Sequence, residues 1–297
     1  MKLIRARIYK RRLLKVLESQ LQQNEKFLLD VPFTADEVSR AVARLKKRKA
    51  PGPDGLMAEH LKGGGEGVVI WLMKILNATV ELESMPMVLK KGVVMSVYKG
   101  GGKDLMKTDS YRGITLTSMV AKVLEFLLLD RLESIFMEAG LPHINQSASR
   151  KGVLCGDAVF ATQEVIAKYL GGGSRVDMCL YDLQKAFDSV EYPVLLEKLF
   201  DPGVNGKMWR LSKNWYESCS CQVKLDGRLS DSFSVERGVK QGSVLSPALF
   251  FLVMDPLLRQ LQVSGVGLSI NNFYAGSFLM SGHWLPVRHH LDIRLSW

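Results

Sequence analysis

The sequence predicts an α+β fold. Three observations lead there. Helical periodicity dominates the first third of the chain, the apolar run 176–182 and the β-rich runs after Cys219 supply strands, and no strand–helix alternation is sustained. No internal repeat is visible.

In order along the chain, residues 3–29 space Leu, Ile and Val at helical intervals between Lys and Arg. Such a basic amphipathic start fits a surface helix better than a transit peptide, because acidic residues and the period continue beyond it. "TADEVSRAVARL" opens with a capping box, Thr34 and Glu37, and puts Val38, Ala41, Val42 and Leu45 on one face. The helix is expected to run into the four cations Lys46 to Lys49, which favour a helix C-terminus electrostatically. "APGPDG" then makes a rigid turn.

A helix over 67–85 stops at Pro86, and Val93 to Tyr98 reads as a strand entering a glycine loop flanked by lysines. "YRGITLTSMVAKVLEFLLLDRL" reads as a short strand and then a long helix, with Val120, Val123, Leu124, Leu127, Leu128 and Leu132 on a broad apolar face. A helix over 156–170 is broken by "GGGS". The strand 176–182 ends at Asp182, and a helix follows Pro193 in its first turn. "CQVKLDGRLSDSFSVERGV" reads as a hairpin, and a loop leads into a helix over 247–262. From Met280 the chain shows no clear period, yet it holds three of the five histidines.

Composition narrows the function. At 297 residues, 47% hydrophobic and 24% charged, the chain is long enough for one large or two modest domains. A net charge of +10 points to a polyanionic partner, nucleic acid first. The four cysteines, Cys155, Cys179, Cys219 and Cys221, lack zinc spacing and read as reduced thiols of an intracellular protein, nuclear or cytoplasmic. No run of about eighteen apolar residues exists, so no membrane span is expected.

Asp182 poses the functional question. A carboxylate at the end of a buried strand suits a hard cation, and it equally suits a turn. A phosphatase-type aspartate nucleophile would want a second Asp two residues on, where Gln184 stands.

Four stretches read together go further: "KAPGPDGL" (49–56), "SYRGITLTSMVAKVLEFLLLDRL" (110–132), "CLYDLQKAFDSV" (179–190) and "GVKQGSVLSPALF" (238–250). In this order and spacing they resemble the reverse transcriptases of non-LTR, LINE-type retrotransposons, over about residues 30–279. The resemblance implies a right-hand polymerase that copies an RNA template from a DNA primer, using deoxynucleoside triphosphates and two Mg²⁺ ions about 3.5–4 Å apart.

It also implies roles. Asp182 corresponds to the first catalytic aspartate and would hold both metals with the carbonyl of Leu183. Phe187 corresponds to the aromatic gate beneath the sugar. Arg112, followed here by Gly113 in place of proline, would grip the triphosphate through its planar fork, with Lys99 as a second contact. Gln241 and Gly242 would pack near the incoming nucleotide. Arg150 and Lys151 would meet template phosphates, which positions a strand without reading it. Asp188 is expected to be structural, stabilising the turn before the next helix.

The resemblance further implies a hairpin carrying Ala-Asp-Asp after an aromatic residue. Two places could host it, "FYAG" (273–276) and the residues just after "GSFL" (276–279), and neither contains an aspartate. After Asp255 the sole acidic residue is Asp292. The second placement is favoured, so the chain reads as truncated before that motif. The expected organisation is a basic helical extension (1–30), fingers (31–175), an incomplete palm (176–279) and an atypical tail (280–297), with no thumb. His283, His289 and His290 are read as incidental to a misjoined or truncated frame rather than as a metal cluster. Negligible polymerase activity is expected, with a non-catalytic nucleic-acid-binding remnant as the alternative.

Overall fold

A computed structural model describes residues 14–17, 30–147, 152–179, 181–270, 273–280 and 283–289. It divides into two compact units. The first comprises residues 1–135 and 187–249, the second 136–186 and 250–297.

In the first unit, helix α1 (Ala35–Arg44) begins with the expected capping box: Thr34 N–H donates to Glu37 Oε2 at 2.7 Å and Glu37 N–H to Thr34 Oγ1 at 3.3 Å. Val38, Ala41 and Val42 form its buried face. The helix stops at Arg44 with Leu45 as C-cap, so Lys46 to Lys49 lie beyond its last turn. That corrects the expected boundary. Two helices, α2 (Ala58–Gly63) and α3 (Gly65–Glu81), follow, and the short α4 (Met87–Lys90) starts at Pro86.

Strand β1 (Lys91–Tyr98) pairs antiparallel with β2 (Tyr111–Thr117), Gly92 opposite Thr117 and Tyr98 opposite Tyr111. The long helix α5 (Met119–Glu138) leaves β2 directly. Val120, Val123, Leu124, Leu127, Leu128 and Leu132 are all buried, as their spacing predicts. Helix α6 (Cys155–Gly171) and strands β3 (Val176–Met178) and β4 (Tyr181–Asp182) belong to the second unit.

Back in the first unit, α7 (Tyr192–Phe200) and α8 (Gly206–Glu217) pack as a helical pair. Trp209 on α8 is fully buried, and its indole N–H donates to Leu196 O at 2.8 Å. Strand β5 (Ser220–Leu225) runs parallel to β1 and takes β6 (Arg228–Leu229) and β7 (Phe233–Ser234) as antiparallel partners. The helix α9 (Ser246–Val263) follows.

The second unit is centred on α6, where Ala158 and Val165 pack with Leu268, Ala275 and Phe278. Strands β8 (Ser269–Ile270) and β9 (Phe273–Tyr274) pair with each other. β10 (Ser277–Met280) pairs with β11 (His283–His289), and β11 pairs in turn with β3 and β4. The tail that shows no period in sequence therefore contributes a strand to this sheet. Buried Asn145 ties it down: its amide donates to Tyr274 O at 2.9 Å and Ser277 O at 2.8 Å. Buried Asp255 accepts from His143 N–H at 2.5 Å and from the Gln146 amide at 2.9 Å, and it pairs with Arg259. No described helix is long and apolar enough to cross a membrane.

Candidate functional site

Within the first unit, one loop gathers several of the expected site residues. Residues 237–245 run between β7 and α9, and three neighbours hold them. Val239 N–H donates to Phe187 O at 2.9 Å and Gly238 N–H to Val190 O at 2.7 Å. Thr115 N–H, on the edge of β2, donates to Gln241 O at 2.8 Å. Val244 N–H donates to Glu125 Oε2 at 2.6 Å.

Gly242 is the residue this geometry demands. Its φ is +113°, and a Cβ there would sit 2.9 Å from Thr115 O. Glycine tolerates both the dihedral and the approach. Gln241 is thereby fixed with its amide pointing at Asp188, donating from Nε2 to Oδ1 at 3.3 Å. Asp188, on a 3₁₀ turn with half-buried Phe187, thus touches the loop that carries Gln241.

A cleft of about 260 Å³ opens here, lined by Gly113, Thr115, Asp188, Arg237, Lys240 and Gln241 with Val94 and Val235 beneath. Its polar lining combines the Arg237 guanidinium and the Lys240 ammonium with the Asp188 carboxylate, which already accepts from the Gln241 amide. Lys240 is partly committed: its ammonium donates to Lys90 O at 3.0 Å.

Arg112 is exposed on β2, and its guanidinium makes no hydrogen bond or ion pair among the described residues. Strand alternation sends Arg112 and Ile114 to the face opposite Gly113 and Thr115, which line the cleft. Lys99 follows β1 at the same end of the hairpin, and its ammonium donates to Asp109 O at 2.7 Å. The structure therefore brings Phe187, Asp188, Gln241 and Gly242 together, and it carries Arg112 and Lys99 on the neighbouring hairpin.

Asp182 and Leu183 fall in the second unit. Asp182 closes β4, and the register sets it opposite His283, the first residue of β11. Met280, the last residue of β10, also pairs with His283. In sequence Ser281 and Gly282 join β10 to β11, and neither is a carboxylate. Residues 176–178 and 181–182 pair with β11 in one register. Among the described residues, no group of three or more His, Cys, Asp or Glu could hold a metal ion. A pair of dications wants several oxygen ligands. Arg150 and Lys151 lie outside the described residues.

Sequence reasoning missed Glu125. It is 2% exposed, and burial pushes its carboxyl above the ordinary range, against the opposing pull of Val244 N–H, Ser243, Lys240 and Lys122. The signal was present: an acid standing inside the apolar stripe of α5, between Leu124 and Leu128.

Comparison with known proteins identifies the family. Residues 90–275 match the family described as reverse transcriptase (RNA-dependent DNA polymerase). The chain is similar to the probable RNA-directed DNA polymerase from transposon X-element of Drosophila melanogaster, 28% identical over 80% of this chain and 26% of that protein. It is similar to the RNA-directed DNA polymerase from mobile element jockey of Drosophila funebris, 29% identical over 79% of this chain and 25% of that protein. The transposon TX1 uncharacterized 149 kDa protein of Xenopus laevis is 28% identical over 84% of this chain and 19% of its own length. The chain thus spans about a quarter or less of these relatives. With the match covering most of its length, the chain belongs to the reverse transcriptase family, among those of non-LTR retrotransposons.

Proposed function

We propose that this chain is the fingers and most of the palm of a LINE-type reverse transcriptase, and that this polypeptide does not polymerise. Its partners are an RNA template, a DNA primer and deoxynucleoside triphosphates. Asp182 holds the place of the first catalytic aspartate, with the Leu183 carbonyl beside it. Phe187, Gln241 and Gly242 face the nucleotide, Arg112 and Lys99 meet its phosphates, and Arg150 and Lys151 meet the template.

One observation carries the inactive reading. Asp182 ends β4 opposite His283, and in sequence Ser281 and Gly282 precede that histidine. Neither this pair nor "FYAG" supplies an acidic residue. Two Mg²⁺ ions bring four positive charges, and one carboxylate answers them. A barrier raised by about 4 kcal/mol lowers the rate roughly a thousandfold.

Primer extension on an RNA template, with Mg²⁺ or Mn²⁺, tests it. The expected result is no product above background, together with association that weakens as salt rises and is indifferent to Asp182→Asn. Product that disappears in Asp182→Asn would overturn the reading.

A further inference from the structure

Of the four cations Lys46 to Lys49, two meet an acid among the described residues: Lys47 attracts Glu59, and Arg48 bonds the same carboxylate through its N–H. In sequence all four read as the charged end of α1. In the structure α1 ends at Arg44, and the helix-dipole effect fades within the last turn. Other residues serve that end. Lys62 donates from its ammonium to Ala43 O at 2.7 Å. Arg44 itself pairs with Asp130 and stacks over the Phe126 ring at 4.2 Å. Lys46, Lys47, Arg48 and Lys49 are all exposed.

Their backbone is nonetheless held firmly. Arg48 adopts φ +57°, a left-handed conformation that costs a non-glycine residue free energy. Its N–H donates to Glu59 Oε1 at 2.6 Å, and the one carboxylate of Glu59, which Lys47 also attracts, answers only a part of the four positive charges. The other nearby acid, Asp54, accepts from Leu56 N–H at 3.2 Å. Downstream, Pro51 and Pro53 stiffen the chain, and Gly52 lies flat on the end of β2. A Cβ at Gly52 would meet Thr117 C and O at 2.5 Å and Ser118 N at 2.6 Å, so only glycine permits this contact. A polycation is thus presented on a rigid, glycine-locked base, where neighbouring like charges repel one another unless an anion answers them.

We infer that Lys46–Lys49 is a docking ledge for the phosphate backbone of a single-stranded nucleic acid. This rests on the nucleic-acid reading above and adds a contact surface to it. The ledge offers flexible ammonium groups without an aromatic partner among its own residues, so it binds phosphates rather than bases. RNA and DNA strands of equal length are expected to use it alike.

The test uses the full chain and a fluorescently labelled oligouridylate, with anisotropy read over a salt series. Each phosphate contact on a single strand contributes a slope of about −0.7 in log affinity against log salt. Replacing Lys46, Lys47 and Lys49 together by Gln, and keeping Arg48 for its backbone, should make the slope shallower by about 2. A second triple, Lys74, Lys168 and Lys224 to Gln, removes the same charge elsewhere and should change the slope by less than one contact's worth. Thermal melts of the ledge variant should match the parent. Equal slopes for the two triples would overturn the ledge and leave the nucleic-acid reading standing. A large fall in melting temperature on neutralising the ledge would also overturn it, as a structural role. A parent chain that does not bind oligouridylate in low salt would remove the nucleic-acid reading and the ledge with it.

Discussion

Replacing Glu125 separates its hydrogen bond from its charge. In Glu125→Gln the side-chain oxygen keeps an acceptor for Val244 N–H, which lies 2.6 Å from Glu125 Oε2 in the parent, but the buried charge is gone. In Glu125→Leu the N–H has no acceptor. Leaving a buried donor unpaired costs about 1–3 kcal/mol. For a chain of this size that corresponds to a fall of roughly 2–10 °C in melting temperature. The pH dependence has a definite sign. Burial raises the carboxyl above its ordinary 4.5, so between 4.5 and the folded value the native state binds more protons than the unfolded one. Glu125 therefore subtracts stability as pH rises through that window, although Lys240, Lys122, Ser243 and Val244 oppose the shift. Urea unfolding across pH should show Glu125→Gln gaining on the parent above pH 4.5, with Glu125→Leu least stable at neutral pH. Amide exchange at Val244 should accelerate in the Leu variant and stay slow in the Gln variant. Leu and Gln variants of equal stability, with equal exchange, would refute the assignment of Glu125 as the clamp on the Gln241 loop.

Two further outcomes follow from contacts already described. Gly242→Ala should destabilise the chain by about 1–3 kcal/mol, since it forces a methyl group against Thr115 O at 2.9 Å and a left-handed dihedral on alanine; denaturant unfolding measures it, and a neutral effect would remove the argument. Asn145→Ala strands the carbonyls of Tyr274 and Ser277, at a cost of about 1–3 kcal/mol, and hydrogen exchange should localise the loosening to β9 and β10.

Periodicity carried the sequence reading where a segment has one dominant partner. The Thr34–Glu37 box, the apolar face of α5 and the strand β1 are local patterns, and the structure reproduces them. The run 176–182 was legible as a strand, but its antiparallel partner β11 lies about a hundred residues away in sequence. Helix α8 escaped notice because "GKMWRLSKNWYE" mixes polar residues into its buried side, where Ser212 is nearly as buried as Trp209. The strand β11 was invisible because its partners, not its own pattern, make it a strand. At the site, motif order singled out Gln241, Gly242, Phe187 and Asp188, while the hydrogen bond that joins Gln241 to Asp188 spans 53 residues and leaves no local mark. Glu125 and Asn145 act through backbone groups far away in sequence, and no spacing rule announces such contacts.

Metal binding reaches the central claim most directly. Water-proton relaxation of Mn²⁺, titrated with the chain alone and with its Asp182→Asn variant, should be the same for both, with weak association only. Saturable, tight Mn²⁺ binding that vanishes in Asp182→Asn would contradict the account.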